Sequence, residues 1–299
     1  SDGPDRSMTV FTAENTSGRL APQLDAIDRT GARTATTDVA GAVESDVGGL
    51  ESVYLDATLR QRYDDAQTHA ERETAVEDRV ERLSGRVDEL AAKERTAIRR
   101  YNDGDVSDRE LLRTLAVLNR EASATDESLQ WFIDAADDLD MDSTAERAAT
   151  ERVRLIPMQG PVRERVADAM AGETTIRTHV QTSGDGVVLA SVDPRDGTYL
   201  REAHDPTAKA ADLPDQDGGN PSPALDRFTE LYPWAINSFE AIDAMGPAQV
   251  RLYRFSASHS HGELETYLDS GSTDILYERQ WLSPESGPSN TAERTQGDL

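Results

Sequence analysis

Apolar residues recur every three or four positions through the middle of the chain. Val76, Val80, Leu83, Val87, Leu90, Glu94, Ala97 and Tyr101 are spaced alternately four and three apart. Leu111, Leu115, Leu118, Ala122, Thr125, Leu129, Phe132, Ala136 and Leu139 keep the same alternation. That 3.5-residue repeat is the seam of a coiled coil. Asn102-Asp103-Gly104-Asp105 between the two series has the composition of a turn, and Ser107 with Glu110 forms a capping box. The pattern predicts an antiparallel helical hairpin, with Gly85 and the seam residue Glu94 as its local weak points. Leu55, Leu59, Tyr63, Ala66 and Ala70 extend the first helix upstream but break its heptads, which marks that stretch for another partner. Downstream, Ser143 and Glu146 form a second capping box. It opens a helix that ends before Pro157, and Gly160-Pro161 starts a short one that stops at Gly172.

Beyond Gly172 the period changes to two. Residues 176–181, 187–192 and 198–202 read as strands, with turns at 183–186 and 193–197. A polar loop over 204–223 leads to a helix over 224–234, whose apolar side is Leu225, Phe228, Leu231 and Tyr232. Strands over 250–258, 264–268 and 275–282 follow. The fold class is therefore α+β, a helical hairpin followed by a small antiparallel meander with a packed helix. The expected division is an extended leader over 1–49 with an edge strand at Met8 to Phe11, helices over 50–172, the sheet region over 173–282, and a tail or linker over 283–299.

Charge narrows the environment. The 57 acidic against 31 basic residues give a net charge of −26. Such a surface repels phosphate, so nucleic acid and anionic lipid are not expected partners. Only Lys93 and Lys209 are lysines; the other basic residues are arginine. Abundant carboxylate with almost no lysine is expected of a halophile, because molar salt shrinks the Debye length to about 3 Å and screens self-repulsion. The absence of cysteine excludes disulfides and thiol chemistry. No run reaches the roughly 18 apolar residues of a membrane helix. The chain begins at Ser1 rather than Met, as after removal of an export signal or after trimming, and Asn15-Thr16-Ser17 is an N-glycosylation pattern.

Several segments carry a likeness. Tyr101 to Asp105 running into Arg109 to Arg113, then Gln159-Gly160-Pro161-Val162-Arg163, Glu230 to Ala235, and Gly262 to Leu264 with Thr266 to Asp269, resemble in order an uncharacterised family of exported haloarchaeal proteins. The resemblance spans residues 50–282. It implies export, a helical region before a small sheet domain, and a membrane anchor outside these residues; it implies no activity. The closing hairpin over 251–278 resembles the PepSY-type modules of secreted proteins.

The chemistry-bearing residues are few. His259 and His261 are the candidate metal ligands, with Glu263 or Glu265 beside them. A structural zinc site takes four ligands and no further histidine lies near, so neither metal nor cofactor is expected. Phosphate-binding loops and a Gly-x-Ser-x-Gly elbow are absent from the sequence, and Asp193 to Gly197 and Asp212 to Gly218 lack the spacing of a calcium loop. Tyr232-Pro233-Trp234 reads as a rigid aromatic recognition patch, or else as core filling by Trp234 and Trp281. The expected role is non-enzymatic: an exported cell-surface module that binds a protein or peptide partner in the envelope through Tyr232 and Trp234. Leu55, Leu59 and Tyr63 would offer a helical contact, including one to a second copy. The alternative is a carboxylate-dependent hydrolase of surface polymers, which would need a cleft holding two carboxylates about 5–10 Å apart.

Overall fold

Thr68 and Ser107 decide where the two long helices begin. In the computed structural model, which describes residues 27–38, 41, 58, 60–208, 220–233, 235, 239–247, 251–259 and 262–283, α1 spans His69–Asn102 and α2 Asp108–Asp137. Each starts with a complete capping box. Glu71 N donates to Thr68 Oγ1 at 3.2 Å and Thr68 N to Glu71 Oε2 at 3.0 Å; Ser107 and Glu110 repeat the exchange at 3.3 and 2.9 Å. The Thr68 box went unnoticed in the sequence, and it corrects the expected upstream extension. Residues 60–65 are helical, but Ala66 and Gln67 are not, because Glu71 also takes the Gln67 N–H at 2.8 Å and closes the helix start there.

The seam forms as its spacing predicts. Val76, Val80, Val87, Leu90 and Tyr101 of α1 and Leu111, Leu115, Ala122 and Leu129 of α2 have no exposed surface. Each such Val or Leu contributes about 1.5–3 kcal/mol by leaving water. The buried face of α2 is wider than a two-helix seam, since Leu112, Ala116, Asn119 and Ser128 are covered too. What covers them is α3, Asp142–Leu155, which lies against both α1 and α2, and α4, Pro161–Ala171, which lies against α2. The hairpin is thus part of a bundle. The box expected at Ser143 and Glu146 does not form. Ala145 N already donates to Met141 O at 3.1 Å, so Ser143 sits inside the first turn and Met141 precedes it without a side-chain cap. Gly172 ends α4 with a left-handed φ of +87°, which lets the chain turn into the sheet without steric cost.

Eight antiparallel strands form one sheet: β1 Arg29–Ala35, β2 Ile176–Ser183, β3 Gly186–Val192, β4 Tyr199–His204, β5 Phe239–Met245, β6 Leu252–His259, β7 Gly262–Asp269 and β8 Ile275–Leu282. Their order is β1-β2-β3-β4-β8-β7-β6-β5. After β4 the chain crosses through α5, Ser222–Leu231, to the far edge, and β5 to β8 then return strand by strand until β8 pairs with β4. The sheet has a different cover on each side. Ile176, Val180, Val187, Leu189 and Leu200 join the core of the bundle. On the other side Phe228, Leu231 and Tyr232 pack on Tyr253, Phe255, Leu264 and Leu268, with Phe228 stacked on Phe255 at 4.7 Å. A register shift between Tyr267 and Leu268 absorbs Leu276, so Tyr277 faces the bundle while Ile275 faces α5.

Both edge strands were missing from the sequence reading, and β1 overturns the assignment of its residues to an extended leader. It is held by its pairing to β2 and by Arg29, which donates to the carbonyls of Tyr101 at 2.6 Å and Val106 at 3.2 Å and stacks over the Tyr101 ring at 4.0 Å. The strand expected at Met8 to Phe11 and the tail beyond Ser283 lie outside the described residues. Replacing Ser107 by Ala leaves helix-start N–H groups without their acceptor. Chemical denaturation is expected to show a loss of about 1 kcal/mol for it, and a similar loss for Thr68→Ala.

Candidate functional site

Between α3 and α4 the chain makes a 3-10 turn, Ile156–Met158, and then two extended residues, Gln159 and Gly160. Pro161 stands at the first helical position of α4, where its missing N–H costs nothing. This short passage lies against the sheet at β4 and β8, and side chains from four elements converge on it. Asn119 of α2 accepts the Gly160 N–H at 2.8 Å, and Tyr277 donates its hydroxyl to Gln159 O. Arg279 donates from Nη2 to Ile156 O at 3.2 Å and Gln159 O at 3.0 Å. Glu202 reaches from β4 to accept the Val162 N–H at 3.1 Å, so a strand carboxylate caps the start of α4.

Arg163 is the centre of this cluster. It is 1% exposed, pairs with Glu94 of α1 at 2.7 Å and with Glu202 at 2.7 Å, and donates to Met158 O at 3.1 Å. Burial lowers the pKa of Arg163, and Glu94 and Glu202 more than reverse that, so the guanidinium stays charged. Burial raises the Tyr277 hydroxyl well above its usual value, and Glu202 adds to the shift, keeping it a neutral donor. A methyl group at Gly160 would overlap the Glu202 carboxylate and stand 2.5 Å from Tyr277 Oη. On the opposite side of β8, Glu278 pairs with Arg201 and accepts the Tyr232 hydroxyl.

Above the cluster a cleft of about 340 Å³ opens at the junction of bundle and sheet. One wall carries Asp126, Ala149, Arg152, Val153 and Ile156; the other carries Ala244, Met245, Gly246 and Tyr267, with Gln159 and Arg279 also lining it. Arg152 and Asp126 form a bidentate pair at 2.8 and 3.0 Å, and Arg152 also donates to Gln130. Arg279 lies 5.0 Å from the Tyr277 ring centre and 5.6 Å from that of Tyr267. Asp126 is the sole carboxylate among the described lining residues, so the two-carboxylate cleft of the hydrolase alternative finds no support here.

The residues singled out from sequence fall in different places. Tyr232 is 0% exposed with its hydroxyl on Glu278, so it fills the core and offers a partner no surface. Trp234, Leu55, Leu59, Asn15 and His261 lie outside the described residues; His259 ends β6 opposite Gly262. Tyr63 meets Trp131 of α2 edge to face at 5.4 Å, a contact within the chain. Among the described residues no three His, Asp or Glu side chains converge as metal ligands, and no helix is long and apolar enough to cross a membrane. Sequence reasoning missed Arg163, Glu202, Arg201, Glu278 and Arg279 as a group. The available signal was the two adjacent charge pairs, Arg201-Glu202 and Glu278-Arg279, set in the middle of strands, since buried charges are paired.

Fold and site together define an α+β protein whose bundle and sheet meet on a buried ion cluster beneath a cleft. The chain belongs to the family described as a domain of unknown function, DUF7096, which matches residues 1–175. A second family of unknown function, DUF7094, matches residues 178–288. No curated protein and no solved structure matches the chain.

Two measurements probe the cluster. Arg163→Met strands two buried carboxylates and is expected to lower unfolding free energy by about 3–5 kcal/mol, while Gly160→Ala costs about 1–3 kcal/mol by overpacking. An unchanged denaturation midpoint for both would remove the cluster from its central place. His204, beside Tyr277 on the bundle side of β4, has its Nδ1 buried without a hydrogen-bond partner, and burial lowers its pKa below 6.5. A depressed histidine pKa leaves stability intact above pH 6.5 and erodes it as pH falls below that value. Thermal melts across that range are expected to fall more steeply for the native chain than for His204→Gln.

Proposed function

We propose that this protein is a non-enzymatic, exported interaction module of a halophile's cell surface, and that it binds a segment of a partner protein in the cleft between bundle and sheet. The cleft carries the reading. It lies within the roughly 300–1,000 Å³ range of binding pockets, has apolar walls with a few fixed polar groups, and stands on a rigid base. Its one carboxylate is neutralised by Arg152, an arrangement suited to recognition rather than to proton transfer. The acidic, lysine-poor composition supports the halophilic setting, and the likeness to exported haloarchaeal proteins supports the surface location.

The test places a photoreactive residue at Ala244, in the cleft wall, and a control at exposed Ala92 on α1. The full chain is added to haloarchaeal cells in molar salt, and cross-linked peptides are mapped by mass spectrometry. Position 244 is expected to capture one defined segment of one surface protein that position 92 does not. Equal capture from both positions, or none from 244, would sink the reading.

A further inference from the structure

We infer that the occupant of the cleft is an extended peptide segment bearing a carboxylate, received by Arg152 and Arg279, with an adjacent apolar side chain resting on Val153, Ile156 and Met245. This rests on the binding reading above and names its partner chemistry. Charge gives the first argument. The lining carries two arginines and one aspartate, and with Glu265, which pairs with Arg279, the local balance is 2 − 2 = 0 in a chain whose net charge is −26. Most of the surface repels an anion, and this recess does not. A recess whose two arginines already face Asp126 and Glu265 suits a single carboxylate better than a phosphate dianion.

The donors give the second argument. Three of the five N–H groups of Arg152 go to Asp126 and Gln130, which fix the guanidinium and leave two for a ligand. Arg279 is held by the carbonyls of Ile156 and Gln159 and pairs with Glu265 at 3.5 Å, yet its Nε is buried with no acceptor. A buried donor without a partner is a standing cost.

The shape of the rim selects an extended chain. Ala244 and Met245 end β5, the last strand of the sheet on that side, and Gly246 follows them. Its outer backbone groups pair with no described strand, and an edge of this kind accepts a further strand through main-chain hydrogen bonds. A segment laid along β5 runs its side chains into the recess between Met245 and Arg152. The modest volume fits one or two side chains rather than a folded element.

The experiment uses the full chain in molar salt with its methionine methyl groups labelled for NMR, the chain having five methionines. The probes are acetyl-Val-Leu-Glu-Val-amide and its Gln counterpart. The Met245 methyl is expected to shift saturably with the Glu peptide, and the Gln peptide to bind about tenfold more weakly or worse. The methyls of Met141 and Met170, which do not line the cleft, stay in place. Arg152→Gln abolishes the preference for Glu, and Arg152→Lys, which keeps the charge without the planar fork, retains part of it. Equal shifts with both peptides, or no shift at Met245 with either, overturn the inference. If cross-linking from position 244 still maps to one partner segment, the binding reading stands and the carboxylate requirement alone falls. If neither experiment responds, both fall.

Discussion

Arg163 is one cation shared by two carboxylates, and the relative placement of helices and sheet depends on it. Glu94 belongs to the first helix and Glu202 to the fourth strand, more than a hundred residues later, and the guanidinium touches both at 2.7 Å. Two buried carboxylates facing one another without it would cost several kcal/mol of desolvation and repulsion. The rest of the passage is built to that constraint. Gly160 has no side chain because Glu202 occupies the space, and Val162 uses the same carboxylate as its helix cap. Arg279 and Tyr277 satisfy the carbonyls that the 3-10 turn leaves open. In molar salt, charges in water are screened beyond about 3 Å, so surface pairs such as Arg86 with Glu89 contribute little. The Arg163 pairs are out of reach of dissolved ions, and their strength does not vary with the medium in the same way.

Much of the fold was legible because its signals are local. The α1 and α2 seams follow a strict heptad, Ser107 and Glu110 mark a helix start, and Gly172 marks a helix end. The six inner strands were found because their residues are buried by neighbours on both flanks and so alternate or run apolar. β1 and β5 were not found, and they are the two edges. The β1 sequence, Arg-Thr-Gly-Ala-Arg-Thr-Ala, has a mostly exposed pattern and no apolar alternation. Its strand character comes from β2 beside it and from Arg29 reaching the end of α1, neither of which is written in its own seven residues. Likewise α3 was expected to begin at the Ser143 box, but its first turn closes on the Met141 carbonyl, which takes the N–H groups of Thr144 and Ala145.

The site was less legible for a related reason. Its segment Gln159 to Arg163 stood out by resemblance, yet its partners Asn119, Glu202, Tyr277 and Arg279 come from three other elements and share no spacing with it. The cleft draws on residues from Asp126 to Arg279, so no window of sequence contains it. Tyr232 shows the converse. An aromatic residue beside a proline looks like a recognition patch, but the bond to Glu278 turns it inward, and only the β8 strand reveals that bond.

The two family regions meet between residues 175 and 178, and the core does not divide there. Val162, Val166 and Met170 of α4 share one apolar cluster with Ile176, Val180, Leu189 and Leu200 of the sheet, and β1 adds the first region's own strand to the second region's edge. Separated, the sheet region would expose Val180, Leu189 and Leu200 as one apolar patch and leave Glu202 without Arg163. The bundle would leave Arg163 with Glu94 alone. The cleft has one wall in each region, so it exists only where both are folded together. A segment bound there, as proposed, would contact both regions at once.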